Sequence, residues 1–137
     1  MATLNPYLNF NGNCREAMTF YQSCLGGKLD VMTFGDSQMG GQVPAEMKDR
    51  VLHSALTSGN LVLMGSDTMG DKPVLGNANT LCVVGSAKGE IEAIFAKLSE
   101  GANVTHPLKE EFFGTFGDLT DKYGMNWMFQ YSPTPMG

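Results

Sequence analysis

VLHSALTSGNLVLMGSD, residues 51–67, reads as two strands joined by the tight turn Ser58-Gly59-Asn60. In the first strand His53, Ala55 and Thr57 fall on one face, and Leu52, Ser54 and Leu56 on the other. The second, Leu61 to Met64, is continuously apolar, as a strand covered on both faces would be. A weaker echo lies at residues 115–131, TFGDLTDKYGMNWMFQY. There Leu119-Thr120 stands for Leu56-Thr57, and Asp121-Lys122-Tyr123-Gly124 suits a type I turn, with Asp first and Gly fourth. The same hairpin is therefore expected twice in one chain.

Working outward, the elements before each hairpin repeat as well. Leu4 to Phe10 reads as a strand, with Leu4, Leu8 and Phe10 on one face and Asn5, Tyr7 and Asn9 on the other. A helix is expected from about Cys14 to Leu25, capped by Asn13 with Glu16 completing a capping box, and stopped by Gly26-Gly27. Ala17, Phe20, Tyr21, Cys24 and Leu25 form its apolar stripe. Lys28 to Phe34 is the next strand. Gly35 to Arg50, with Gly35, Gly40, Gly41 and Pro44, breaks the regularity and reads either as a mobile loop able to cover a site or as a tolerated surface insertion.

After a Gly/Pro-punctuated linker, Thr68 to Ala78, the order returns. Asn79 to Val84 is a strand, Ser86 caps a helix to about Glu100 with Ile91, Ile94, Phe95 and Leu98 inward, and Asn103 to Leu108 is a strand. The junctions FYQSCLGGKLDV and IFAKLSEGANVT correspond across the two halves. The expected fold class is α+β: one domain, residues 1–137, of two βαβββ modules at about 1–67 and 77–132, whose curved mixed sheets form a cleft.

Composition limits the function. A net charge of −5 and scattered basic residues argue against a nucleic-acid surface. Three cysteines without CxxC spacing fit free thiols in a reducing cytoplasm. The N-terminus has no secretory pattern, and no run approaches the roughly 18 apolar residues that span a bilayer.

PYLNFNGNCREAMTFYQSCLGG, HSALTSGNLVLMGSD and FGDLTDKYGMNWM together resemble the glyoxalase/bleomycin-resistance (vicinal oxygen chelate) superfamily. More closely they resemble its PhnB-like branch, often labelled demethylubiquinone methyltransferase-like. The resemblance spans nearly the whole chain and implies paired βαβββ modules and a homodimer. Metal-dependent members carry ligands on the first and last strand of each module. The corresponding positions here are Asn5 or Pro6, Met64, Asn79 and Met128, none a strong ligand for a divalent ion.

His53 is the remaining donor of interest, as a proton carrier or a hydrogen-bond partner for a ligand. His106, before Pro107, reads as a surface residue. Glu110 and Glu111 are adjacent and would point to opposite faces of a strand, so they do not form a dyad. Phe112, Phe113 and Phe116 are expected to wall the cleft, Trp127 and Phe129 to pack beneath the helix, and Met128 and Gln130 to face the cleft. No Gly-rich turn in a parallel α/β setting offers a site for the methyl donor of a methyltransferase. There is no nucleophile elbow or phosphate loop.

The expected function is metal-free binding of an unidentified small molecule in the cleft, with no cofactor. Its contacts are Asn5, Tyr7, Asn9, His53, Met64, Asn79, Phe112, Phe113, Met128 and Gln130. Two alternatives stand beside it. One is a metal-dependent enzyme of the superfamily, lyase or dioxygenase in type, with His53 as candidate catalytic residue. The other is a dimeric interaction protein with a vestigial cleft.

Overall fold

The computed structural model of the chain describes residues 1–133. They fall into two compact units, Met1–Val74 and a second from Leu75 onward. Each has the order strand, helix, three strands, as the glyoxalase/bleomycin-resistance fold requires.

The first unit comprises β1 (Tyr7–Phe10), α1 (Cys14–Leu25), β2 (Lys28–Thr33), β3 (Val51–Ser58) and β4 (Leu61–Asp67). Its sheet runs β1-β4-β3-β2, with β1 parallel to β4 and the other pairs antiparallel. The helix covers one sheet face. Cys14, Ala17, Met18, Tyr21 and Cys24 of α1 are buried, as are Leu8, Phe10, Ser54, Leu56 and Leu63 of the strands. The other face carries Tyr7, Asn9, Met32, His53, Ala55, Met64 and Ser66, fixed by the register Tyr7↔Met64↔Ala55 and Met32↔His53.

The second unit comprises β5 (Leu81–Val84), α2 (Lys88–Leu98), β6 (Asn103–Glu111), β7 (Gly114–Thr120) and β8 (Asn126–Tyr131), in sheet order β5-β8-β7-β6. Ile91 and Leu98 of α2 are buried, and Phe95 meets Phe129 edge-on at 5.2 Å between ring centroids. Trp127 and Phe129 lie on this helix side, both buried. Met128 and Gln130 point the opposite way with Cys82, Val84, Phe116 and Asp118.

Several expectations change. The first strand begins at Tyr7, and Leu4, 99% exposed, stays outside the core. Pro6 lies just before it, offering its carbonyl to the Met64 amide at 3.2 Å but having no N–H to extend the ladder. β5 likewise starts at Leu81, leaving Asn79 in the approach. β4 is not covered on both faces. Leu63, Gly65 and Asp67 are buried while Val62, Met64 and Ser66 on the opposite face are only half-buried, because a single helix lies over this sheet. A register irregularity between Met32 and Thr33 puts Val51 inside and leaves Leu52 half-buried.

The helix caps also differ. Asn13 makes no side-chain cap bond. Asp67, the last residue of β4, does that work instead: its Oδ1 accepts from the Gly12 and Cys14 amides at 2.8 and 3.0 Å. A carboxylate accepts such bonds more strongly than a neutral amide oxygen and is favoured at a helix N-terminus. In the second unit Ala87 holds the cap position. The Ser86 amide and hydroxyl both donate to Glu90 Oε1, at 3.0 and 3.3 Å. The Glu90 carboxylate thus reaches back past Ala87 to the residue before the cap.

Candidate functional site

β1, β3 and β4 bring Tyr7, Asn9, His53 and Met64 onto the helix-free face of the first sheet. The Tyr7 hydroxyl lies 3.2 Å from His53 Nδ1, with the rings stacked at 5.8 Å between centroids. A phenol is a better donor than acceptor, so the Tyr7 hydroxyl donates to Nδ1 and the ring proton sits on Nε2. His53 therefore offers an N–H outward. Met32, 49% exposed, is its cross-strand neighbour, and Met64 lies between Tyr7 and Ala55. The result is a polar pair set among thioethers. The hairpin alternation put His53 on this face, but Met32 was not singled out, since its partner depends on the irregular register of β2.

Asn5 does not join this group. It precedes β1, and its Nδ2 donates to Thr3 Oγ1 at 3.1 Å. Asn79 is equally peripheral, exposed before β5 with its carbonyl taking the Asn126 amide at 3.1 Å.

In the second unit Met128 and Gln130 lie on the helix-free face. Register places Cys82, Met128, Asp118 and His106 side by side across four strands. His106 is exposed, and its Nδ1 lies 2.9 and 3.0 Å from the two oxygens of Asp118. Sequence reasoning missed this pair because β6 is irregular on both sides of His106. Pro107 and Leu108 stand opposite Gly117 alone, and such a bulge re-aims neighbouring side chains.

Phe112 and Phe113 form the β6–β7 turn. Phe112 is fully exposed, and Phe113 meets both Phe112 and Phe116 edge-on, at 5.1 and 6.2 Å. With Lys88, Glu110, Thr115 and Tyr131 they line a crevice of about 730 Å³ within this unit. Glu110 is paired with Lys88, which draws its carboxyl below and the Lys88 ammonium above their ordinary ranges.

The 3-demethylubiquinone-9 3-methyltransferase family model matches residues 2–130. The chain belongs to this PhnB-like family. Protein YjdN of Escherichia coli K12 is 32% identical, over 91% of this chain and 92% of its own. A crystal structure of protein PA1353 from Pseudomonas aeruginosa superposes with a TM-score of 0.84 at 38% identity, covering 96% and 98% of the two chains. A Bacillus cereus PhnB protein, described as a putative 3-demethylubiquinone-9 3-methyltransferase, gives 0.74 at 26% identity over 96% and 100%. The fold is shared more widely, with a glyoxylase/bleomycin resistance protein/dioxygenase domain from Frankia at 0.65 and 16% identity, over 96% and 98%.

The family description names methyl transfer, and the residues do not fit the donor it needs. The strand-to-helix turns that could cradle such a cofactor are filled by the chain's own carboxylates, Asp67 at α1 and Glu90 at α2. Nor do they fit the metal of the wider fold. Among the described residues no three His, Cys, Asp or Glu side chains converge as a metal-binding group. Met64 and Met128, at strand positions matched to ligands, offer thioethers unsuited to hard divalent ions.

Proposed function

We propose that this PhnB-like protein binds a small, largely apolar organic molecule on the helix-free face of its first unit, with His53 and Tyr7 as the polar anchor and no divalent metal in the site. The Tyr7–His53 pair carries this reading. It is exposed, it lies among Met32, Met64 and Ala55, and no packing of the helix against the sheet uses it. Apolar surroundings with a few placed polar groups are the usual make-up of a ligand site, and Met adapts to varied shapes. The outward Nε2–H would meet a carbonyl or other acceptor on the ligand.

A thermal-shift screen of carbonyl-bearing apolar compounds tests it. A true ligand raises the melting midpoint as its concentration passes Kd. His53→Ala and Tyr7→Phe should weaken that response at least tenfold with the unliganded midpoint nearly unchanged. A hit that both variants bind as wild type does sinks the reading.

The chain's other expected properties belong with this proposal. It works as a homodimer in the cytoplasm, supported by the edge strands that each sheet ends on among the described residues and by free cysteines at 14, 24 and 82. Among the described residues no helix is long and apolar enough to cross a membrane. Sedimentation at micromolar concentration showing only a 14.8 kDa species would contradict the dimer.

A further inference from the structure

The two histidines of the chain are held by chemically opposite partners. Tyr7 donates a hydrogen bond to His53 Nδ1. Asp118, an acceptor-only carboxylate, takes one from His106 Nδ1 with both oxygens, at 2.9 and 3.0 Å. In the neutral ring of His106 the proton is thereby fixed on Nδ1, and Nε2 is left as a lone pair. That nitrogen has no partner among the described residues, and the side chain is 66% exposed. Around it the face is a platform. The Phe116 ring lies 6.4 Å from the imidazole, Met128 is the cross-strand neighbour of Asp118, and Gln130 that of Phe116.

We propose that the helix-free face of the second unit is a separate small-molecule site, taking a planar molecule that bears an acidic hydroxyl, a phenol or an enol. Its hydroxyl donates to His106 Nε2 and its plane lies against Phe116 and Met128. Asp118 is a positioning residue that holds the imidazole in the tautomer able to accept. The two units thus select for opposite hydrogen-bonding polarity. This site does not depend on the reading of the first unit, because it rests on different residues.

The test uses the full chain and 4-methylphenol as probe, whose hydroxyl stays protonated at mildly alkaline pH, followed by long-range proton–nitrogen NMR of the two imidazoles at that pH. His106 should show its proton on Nδ1 and His53 on Nε2. Titration should move the His106 Nε2 resonance saturably and leave His53 in place. 4-Methylanisole, which lacks the hydroxyl, should bind at least tenfold more weakly. His106→Phe should keep its melting midpoint and lose the discrimination between the two probes. Asp118→Asn, whose amide can donate as well as accept, should give mixed tautomers at position 106 and about tenfold weaker 4-methylphenol binding. A proton on His106 Nε2 in the wild type, equal affinity for the two probes, or unchanged titration of the His106→Phe variant would each overturn the proposal.

Discussion

The indole Nε1–H of Trp127 donates to Asp121 Oδ2 at 2.8 Å, and both side chains are buried. The other oxygen of Asp121 accepts from the Tyr123 and Met125 amides, at 2.8 and 3.1 Å, so one carboxylate ties the β7–β8 turn to the core tryptophan. Removing a buried acceptor strands its donors, each at about 1–3 kcal/mol. Asp121→Ala should therefore cost about 3 kcal/mol or more in urea unfolding, and Trp127→Phe should also destabilise, through lost packing and an unmet carboxylate oxygen. The two losses should fall short of additive in the double variant, since they share one bond.

Asp67 plays the corresponding part in the first unit, and it spans more chain. Besides the two amides at the start of α1, its Oδ2 accepts from the Val51 amide at 2.9 Å. Asp67→Asn keeps the shape but turns an NH2 group toward one of these N–H donors. A cost of about 2–4 kcal/mol is expected, by analogy with breaking a buried charge-assisted network. Equal stability of Asp67→Asn and wild type in chemical denaturation would count against this account.

Gly27 has φ +89°, and a Cβ there would come within 2.2 Å of the Thr57 carbonyl oxygen. The clash is with backbone, so it cannot be relieved by a rotamer change. Gly27→Ala should destabilise by more than the ~1 kcal/mol usual for a left-handed position alone. Gly59→Ala is the control. It also has positive φ, +57°, but nothing lies near its missing Cβ, and it should be milder. The difference in melting midpoint between the two variants is the measurement.

Burial pushes the Cys14 thiol up to about 11, from an ordinary value of 9.0. The folded state thus holds this proton more tightly than the unfolded chain. The contribution is fully present below pH 9.0 and is lost as pH rises through about 11. Stability should decline across that alkaline window, and Cys14→Ser should flatten the decline. A thiol reagent at neutral pH should label exposed Cys82 first and leave Cys14 untouched in the folded protein.

Gly35 to Arg50, expected as a mobile cover, is held at both ends. The Gly35 amide donates to the Lys48 carbonyl at 2.9 Å, and Arg50 Nη1 donates to Asn11 Oδ1 and the Thr68 carbonyl at 2.8 and 3.0 Å. Any ligand-dependent change in hydrogen exchange should be confined to residues 36–47. Protection changing at Arg50 but not within that span would contradict a cover of this kind.

How much of this was legible depends on the range of the interaction. The alternation of β3 showed which face His53 occupies, because side-chain direction follows from strand period alone. The stripe on α1 was equally plain. Asp67 as the cap of α1 was not, because the Asn13 capping pattern is local while the observed partner lies 53 residues away along the chain. The His106–Asp118 pair was hidden for a related reason. Counting along β6 from Asn103 puts His106 opposite Gly117, because the register slips at Thr105 before His106 is reached, and no local pattern announces that slip. Leu4 misled by its apolarity, though Pro6 already marked where ladder pairing had to begin.

The parallel pairing of β1 with β4 has a consequence for synthesis on the ribosome. β1 is made first, yet its one sheet neighbour among the described residues is the last strand of its unit, and the N-terminus of α1 waits for Asp67 at the end of that same strand. No part of residues 1–60 can bury its first strand until the polypeptide has left the exit tunnel through Asp67. The second unit repeats the arrangement with β5 and β8. Translation therefore releases this protein in two instalments, each latching at its own final strand, and a chain stalled short of Asp67 presents an uncapped helix and an unpaired apolar strand to the cell.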